Sequence, residues 1–210
     1  MRVARGGVSI GKNNLLVSGL AFPMDILTAA LMGLVLFLPA LIPNSAAALF
    51  GGGTPVDFNR TWRGKRVLGD GKTWRGLFGG VGSGILIGLL MLAIAYLAGS
   101  EDGFGYGPFP DSVGVVVCLA LGSLVGDMAG AFIKRRLGMA RGQKAPGLDQ
   151  YDFVVGALLL TLLVYPSWVL STYVEGEAIA GLITLLIFVP LLHRSVNIIG
   201  FKMGKKKEPW

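Results

Sequence analysis

Three aspartates and a run of cations share the stretch Gly126 to Asp152, GDMAGAFIKRRLGMARGQKAPGLDQYD: Asp127, Asp149 and Asp152, with Lys134, Arg135 and Arg136 between them. Small sets of carboxylates hold hard divalent cations, and grouped cations hold phosphates, so these residue types suit an anionic substrate carried with a metal. Asp127 is the most informative of them. It follows the 14 uncharged residues Val113 to Gly126, and a charge at membrane depth costs ~3 kcal/mol or more, so it is normally paired, hydrated or bound to an ion. Asp149 and Asp152 share one face if a helix begins there. A helix end with snorkelling cations and a capping Asp would account for much of this pattern, but not for Asp127.

A second set of cations lies upstream in Asn44 to Gly76, NSAAALFGGGTPVDFNRTWRGKRVLGDGKTWRG, where Arg60, Arg63, Lys65, Arg66, Lys72 and Arg75 stand against Asp57 and Asp70. Gly51 to Gly53 form a small-residue turn. Gly69, Gly71 and Gly76 permit the close backbone approach with which amide N–H groups and Lys or Arg cradle phosphates. Arg75 and Gly76 open an apolar run, so a phosphate there would also meet a helix N-terminus. Retention of a basic loop in the cytoplasm explains the sign of the charge, but it gives no reason for the spacing G-D-G-K-T-W-R-G.

The elements that must position these residues are membrane helices. The chain has 210 residues, 53% of them hydrophobic, and a mean hydropathy of +0.66, with the apolar sequence concentrated in runs. We expect an all-α polytopic bundle, a single integral membrane domain over 1–210, with about five transmembrane helices near 26–42, 77–98, 113–133, 153–174 and 178–199. The 33 glycines, often at small-residue intervals such as Gly80, Gly84 and Gly88, predict close helix packing. Pro39, Pro43, Pro166 and Pro190 fall near span ends or inside them, where they kink or stop a helix. The segment 14–22 is too short to span and is expected at the interface or against the bundle. Asn44 to Ala48 imitates a signal cleavage site, but cutting there would remove the first span, so none is expected.

Loop charge sets orientation. The loops 51–76 and 134–152 and the tail from His193 hold six, five and five Lys or Arg, whereas Gly99 to Ser112 and the turn Glu175 to Glu177 hold none. The positive-inside rule places the basic loops in the cytoplasm and the N-terminus outside, against the sign of Arg2, Arg5 and Lys12. The net charge of +7 is explained by membrane flanks, so no nucleic-acid partner is expected. Lone Cys118 excludes a disulfide framework and a thiolate metal site.

GDGKTWRGLFGG at Gly69 to Gly80 resembles the K-T-x-E-G-x-x-G-G segment of the membrane phosphatidate cytidylyltransferases, with Lys72, Thr73, Gly76, Gly79 and Gly80 in place and Arg75 where that family has Glu. GDMAGAFIKRRLG followed by PGLDQYD is similar to the same family's G-D-L...K-R...G...P-G...D-R-x-D signature. The K-D pair after the basic cluster and the H-G-G after Pro-Gly are missing. The short form, with ALFGGGTPVD after the first span, looks like the family's archaeal branch. The resemblance covers Asn44 to Asp152.

It implies a plasma-membrane enzyme with its site on the cytoplasmic side. The expected reaction joins CTP to an unsaturated archaeal ether-lipid phosphate of the 2,3-bis-O-geranylgeranyl-glycerol 1-phosphate type, giving a CDP-lipid and pyrophosphate. On this reading Mg²⁺ is held by Asp127, Asp149 and Asp152, with Asp70 a further candidate. Lys72, Arg75, Lys134 and Arg135 hold the triphosphate, and Arg60, Lys65 and Arg66 the lipid phosphate or the nucleotide. Thr73 and Gly76 meet a phosphate oxygen, and Asn44 is a polar contact to nucleotide or headgroup. A phosphomonoester is already an anionic nucleophile, so no Ser/His/Asp activating set is needed. Alternatives are a diacyl-lipid cytidylyltransferase, a CTP-dependent polyprenol kinase and, outside the enzymes, a transporter or channel.

Overall fold

Glycine decides which helices touch. A computed structural model describes Val8–Gly11, Asn14–Val17, Leu20–Pro23, 25–140, 142–202 and 204. Three short strands, β1 (Val8–Gly11), β2 (Asn14–Val17) and β3 (Leu20–Pro23), form an antiparallel meander. Helices α1 (Ile26–Leu36) and α2 (Leu38–Phe50) follow, then a small hairpin of β4 (Thr61–Trp62) and β5 (Lys65–Arg66). The rest is helical: α3 (Trp74–Leu97), α4 (Asp111–Arg136), α5 (Leu148–Val164), α6 (Pro166–Tyr173) and α7 (Ile179–Lys202).

A Cβ on Gly84 would stand 2.5 Å from the Pro39 carbonyl of α2, and one on Gly88 would stand 2.2 Å from Val116 of α4. α3 therefore lies closer to both neighbours than any larger side chain would allow. Gly126 of α4 faces Gly156 of α5, and Gly33 of α1 faces Gly181 of α7, at similar range. The core lies between these helices around Phe37, Val116, Leu119 and Leu185. Outward faces carry exposed Leu86, Leu90, Ile94, Leu159 and Leu163. Such a surface is a liability in water and is satisfied in lipid.

Among the described residues three helical stretches are long and apolar enough to cross a membrane: Ile26–Phe50, Trp74–Leu97 and Asp111–Arg136. Pro166–Tyr173 and Gly176–Leu192 would form one more as a pair bent by 80°. The expected fourth span, 153–174, is interrupted at Tyr165, where Pro166 starts a new helix. The first is also interrupted. At Phe37 the backbone tightens, with the Phe37 N–H donating to Leu34 O and Ala40 N–H to Phe37 O. The carbonyls of Gly33 and Leu36 lose their helical partners by this shift. The hydroxyls of Tyr173 and Tyr106 donate to them at 2.9 and 3.1 Å, so the break is satisfied rather than strained.

The strands at 8–23 were not anticipated from the apolar runs. β1 lies beside the turn Gly103–Gly105, at the end of the bundle opposite the 51–76 loop.

Candidate active site

The upstream basic loop is built around one buried carboxylate. Asp57 is 7% exposed. It accepts from the Arg66 guanidinium at 2.9 and 3.3 Å and from the amides of Asn59, Leu68 and Gly69 at 3.0 to 3.1 Å. Burial alone would raise its pKa; the Arg66 and amide hydrogen bonds outweigh that and hold the carboxyl well below the usual carboxylate range. Arg66 also meets Asp70 at 2.6 Å. The loop then closes onto the start of α3, since Lys72 N–H donates to Gly69 O, Val56 N–H to Lys72 O and Trp74 N–H to Thr54 O. Thr73 caps α3 by accepting from Gly76 N–H at 3.2 Å.

This closure carries the Lys72 ammonium to α4, where it forms an ion pair with Asp127. The question posed by a carboxylate within an apolar run is thus answered by a cation 55 residues away in sequence, the Asp127 side chain being half-buried. A second pair forms at the end of the same helix. The last turn of α4 holds Lys134, Arg135 and Arg136 and is stopped by Gly138, whose φ of 77° suits a Schellman cap, with Met139 N–H returning to Lys134 O at 3.0 Å. Lys134 donates to Asp149 at 2.5 Å, and the other oxygen of Asp149 accepts from Ala145 N–H at 2.8 Å. Asp152 lies one turn further along α5, pressed against Gly130 of α4. Its Oδ1 accepts from Phe153 N–H at 2.7 Å, and among the described residues it has no ion-pair partner.

Lys72, Thr73, Asp127 and Asp149 line a cavity of about 750 Å³. Its other wall is apolar, with Leu41 and Leu49 from α2 and Val189, Leu192 and Ile199 from α7. Asn44 also lines it, with a buried side-chain oxygen that has no hydrogen-bond partner among the described residues. Gly76 lies on the same rim, so close to Ala47 O that a Cβ there would be 2.9 Å from it.

The remaining expected site residues lie elsewhere. Arg66 and Asp70 are engaged in holding the loop, and Lys65 Nζ donates to Arg136 O at 3.2 Å. Arg60 and Arg75 are exposed, the stem of Arg75 resting against Gly53. Arg135 donates to Ala140 O at 3.3 Å, closing its own helix end. In the sequence Asp57 stood as a counter-charge and as the last residue of ALFGGGTPVD, with no role assigned, whereas Asp70 was named as a further metal candidate. The cavity wall of α7 carried no signal beyond its hydrophobicity.

Among the described residues no three His, Cys, Asp or Glu side chains converge closely enough to share a metal ion, so the expected three-carboxylate centre is not built in advance. Asp127 and Asp149 nevertheless fit Mg²⁺. Both face the cavity, each already has a positive group on one oxygen, and Mg²⁺ commonly takes one or two carboxylates with the substrate's phosphates.

A family model described as CDP-archaeol synthase matches residues 24–210. Proteins of that name from Methanospirillum hungatei, Methanoculleus marisnigri and Methanosarcina mazei are 52%, 48% and 46% identical, over 82% of this chain and 99% of each relative. A solved structure, described as an intramembrane enzyme for archaeal membrane lipids biosynthesis, is similar at 37% identity and a TM-score of 0.57. That match covers 83% of this chain and 95% of the other.

Proposed function

The chain belongs to the CDP-archaeol synthase family, and from that premise we propose how its own residues carry out the reaction. It is a CTP-dependent cytidylyltransferase that forms CDP-archaeol in a membrane. The acceptor we assign is an unsaturated isoprenoid ether-lipid phosphate, and the catalytic side is cytoplasmic.

The observation that carries this reading is a cavity in which two chemistries meet. One end holds Lys72, Thr73, Asp127 and Asp149; the other is the apolar wall between α2 and α7. A lipid phosphate fits such a space with its chains along the helices and its head among the charges. The lipid phosphate oxygen attacks the α-phosphorus of CTP, a bond forms there, and the bond from the α-phosphorus to the bridging oxygen breaks to release pyrophosphate. The attacking group is an anion at neutral pH, so the protein's task is to relieve repulsion between anions and to align them.

Lys72 and Lys134 do this by leaving their carboxylates for the triphosphate and the departing pyrophosphate. Asp127 and Asp149, so released, would hold Mg²⁺, which when bound neutralises phosphate charge. Asp152 stands behind them on α5 as a third carboxylate. The Thr73 hydroxyl, which accepts from the Gly76 amide, donates its own proton to a phosphate oxygen at the start of α3, with Gly76 on the rim beside it, where the helix dipole favours negative charge. Asn44 supplies its free oxygen to a donor on the nucleotide or the lipid headgroup.

The test uses purified protein and labelled CTP with isoprenoid ether-lipid phosphate and diacyl phosphatidate offered in turn. We expect CDP-lipid and pyrophosphate in equal amounts, with the ether lipid preferred. Release of CDP without pyrophosphate would make the chain a kinase, and preference for the diacyl lipid would overturn the assigned acceptor.

A further inference from the structure

The last residue of α4 makes more contacts to the upstream loop than any charge that faces the cavity. The Arg136 guanidinium donates to three backbone carbonyls of the β4–β5 hairpin: Trp62 O at 2.6 Å, Lys65 O at 3.2 Å and Arg66 O at 2.5 Å. Its carbon lies 5.2 Å from the Trp62 ring centre and 5.1 Å from that of Phe132, and those two rings stack at 5.7 Å. Lys65 returns the contact by donating to the Arg136 carbonyl. The hairpin is shaped to offer these carbonyls, since Arg63 and Gly64 both have positive φ, as a two-residue type I′ turn requires.

A continuous set of hydrogen bonds runs from this anchor to the cavity. The Arg66 side chain holds Asp57, Asp57 holds the Leu68 and Gly69 amides, and Gly69 O accepts from the Lys72 amide. The Lys72 ammonium then returns to α4 at Asp127. The loop is thus pinned to one helix at two points, nine residues and about 13 Å apart at 1.5 Å per residue.

We infer that Arg136 is the positioning residue for Lys72. It meets neither substrate; it fixes the loop on α4 so that the Lys72 ammonium stands over Asp127 and the cavity. The inference rests on the reading that Lys72 binds the triphosphate. A guanidinium suits this task and an ammonium does not, because only the planar fork reaches several carbonyls at once while lying against aromatic rings. A phosphate-binding role would make the opposite demand, since Lys serves phosphates well as a point charge.

The experiment is a double-mutant cycle on the full-length protein in lipid, reading kcat/KM for CTP with Lys72→Ala, Arg136→Ala and the double variant, alongside Arg136→Lys. Arg136→Ala should lose about 10- to 100-fold, the scale of misplacing a catalytic group by about 1 Å. Arg136→Lys should not recover it, and the double variant should be no worse than Lys72→Ala alone. Losses that multiply, or recovery by Arg136→Lys, would overturn the inference and make Arg136 an independent phosphate ligand. An unchanged Arg136→Ala would also overturn it. If Lys72→Ala itself leaves CTP use intact, the triphosphate reading fails instead, a distinct result. Should Arg136→Ala not accumulate, Trp62→Ala, which removes only the ring beside the guanidinium, is carried through the same cycle and should show the same non-additivity.

Discussion

Gly130→Ala tests the part assigned to Asp152 without touching a charge. Gly130 is buried in α4, and a Cβ there would stand 2.2 Å from Oδ2 of Asp152 and 2.9 Å from its Cβ and Cγ. Since the whole side chain is in the way, a rotation of the carboxylate alone does not relieve the clash. An ordinary carbon–oxygen contact is longer by about 1 Å, and a catalytic group displaced by that much loses about 100-fold in rate, roughly 2.7 kcal/mol in barrier. The helix itself gains, because Ala is favoured over Gly in a helix interior by about 1 kcal/mol. Activity and stability should therefore separate: turnover falls about 100-fold while the melting temperature changes little. Gly82→Ala is the control, since a Cβ there meets nothing within 4 Å, and it should leave turnover intact. Gly126→Ala is the opposite control. Its Cβ would lie 2.2 Å from the Asp152 backbone carbonyl, so it should lower stability by separating α4 from α5. The assay is pyrophosphate release with CTP and ether-lipid phosphate, alongside thermal unfolding in detergent. Turnover of Gly130→Ala within about threefold of the parent, about 0.65 kcal/mol, would remove Asp152 from the site.

Asp127→Asn and Asp149→Asn should each abolish turnover in folded protein, and a chelator should sharply weaken CTP binding to the parent; calorimetric titration that finds metal-independent binding would remove Mg²⁺ from the site. Asp57 carries a pH prediction: because its folded pKa lies below the unfolded value near ~3.9, its stabilisation is whole above that value and is lost as pH falls through the folded pKa. Protection of the 54–73 amides from hydrogen exchange, attributable to this group, should be flat from about pH 8 to pH 5 and decline only below about pH 4. Single cysteines at Phe109 and Gly142, both exposed, in a Cys118→Ala background should label from opposite faces of sealed vesicles. Labelling from one face would overturn the membrane orientation.

What was legible in the sequence follows the physics of each residue. Asp127 stood out because an apolar run makes a lone carboxylate costly, and the cost itself implied a partner. The glycines at 80, 84 and 88 announced close packing because small-residue intervals have few other uses in a membrane helix. Pro166 marked a place where a helix would stop, and one does. The division of labour among the loop cations was hidden. Arg66, Lys72 and Arg136 are alike as charges, and they differ only in what folding brings to them: a buried carboxylate, an aspartate on α4, and three hairpin carbonyls about 70 residues away. Periodicity reports faces and spans, but it carries no information on which basic residue of a polar loop turns inward.

The paired state of the site has a consequence for specificity. Lys72 with Asp127 and Lys134 with Asp149 are each neutral as a pair, which avoids part of the cost that a lone, partly desolvated charge would carry. A polyanion alone would draw the lysines away and strand two carboxylates; a metal alone would take the carboxylates and strand two ammonium groups. Only a substrate that brings both signs exchanges every partner for another of like charge. On this view the lysine–aspartate pairs are themselves a selective device. They favour a triphosphate carried with its cation over a bare lipid phosphate, and they oppose occupation by pyrophosphate once its metal has departed.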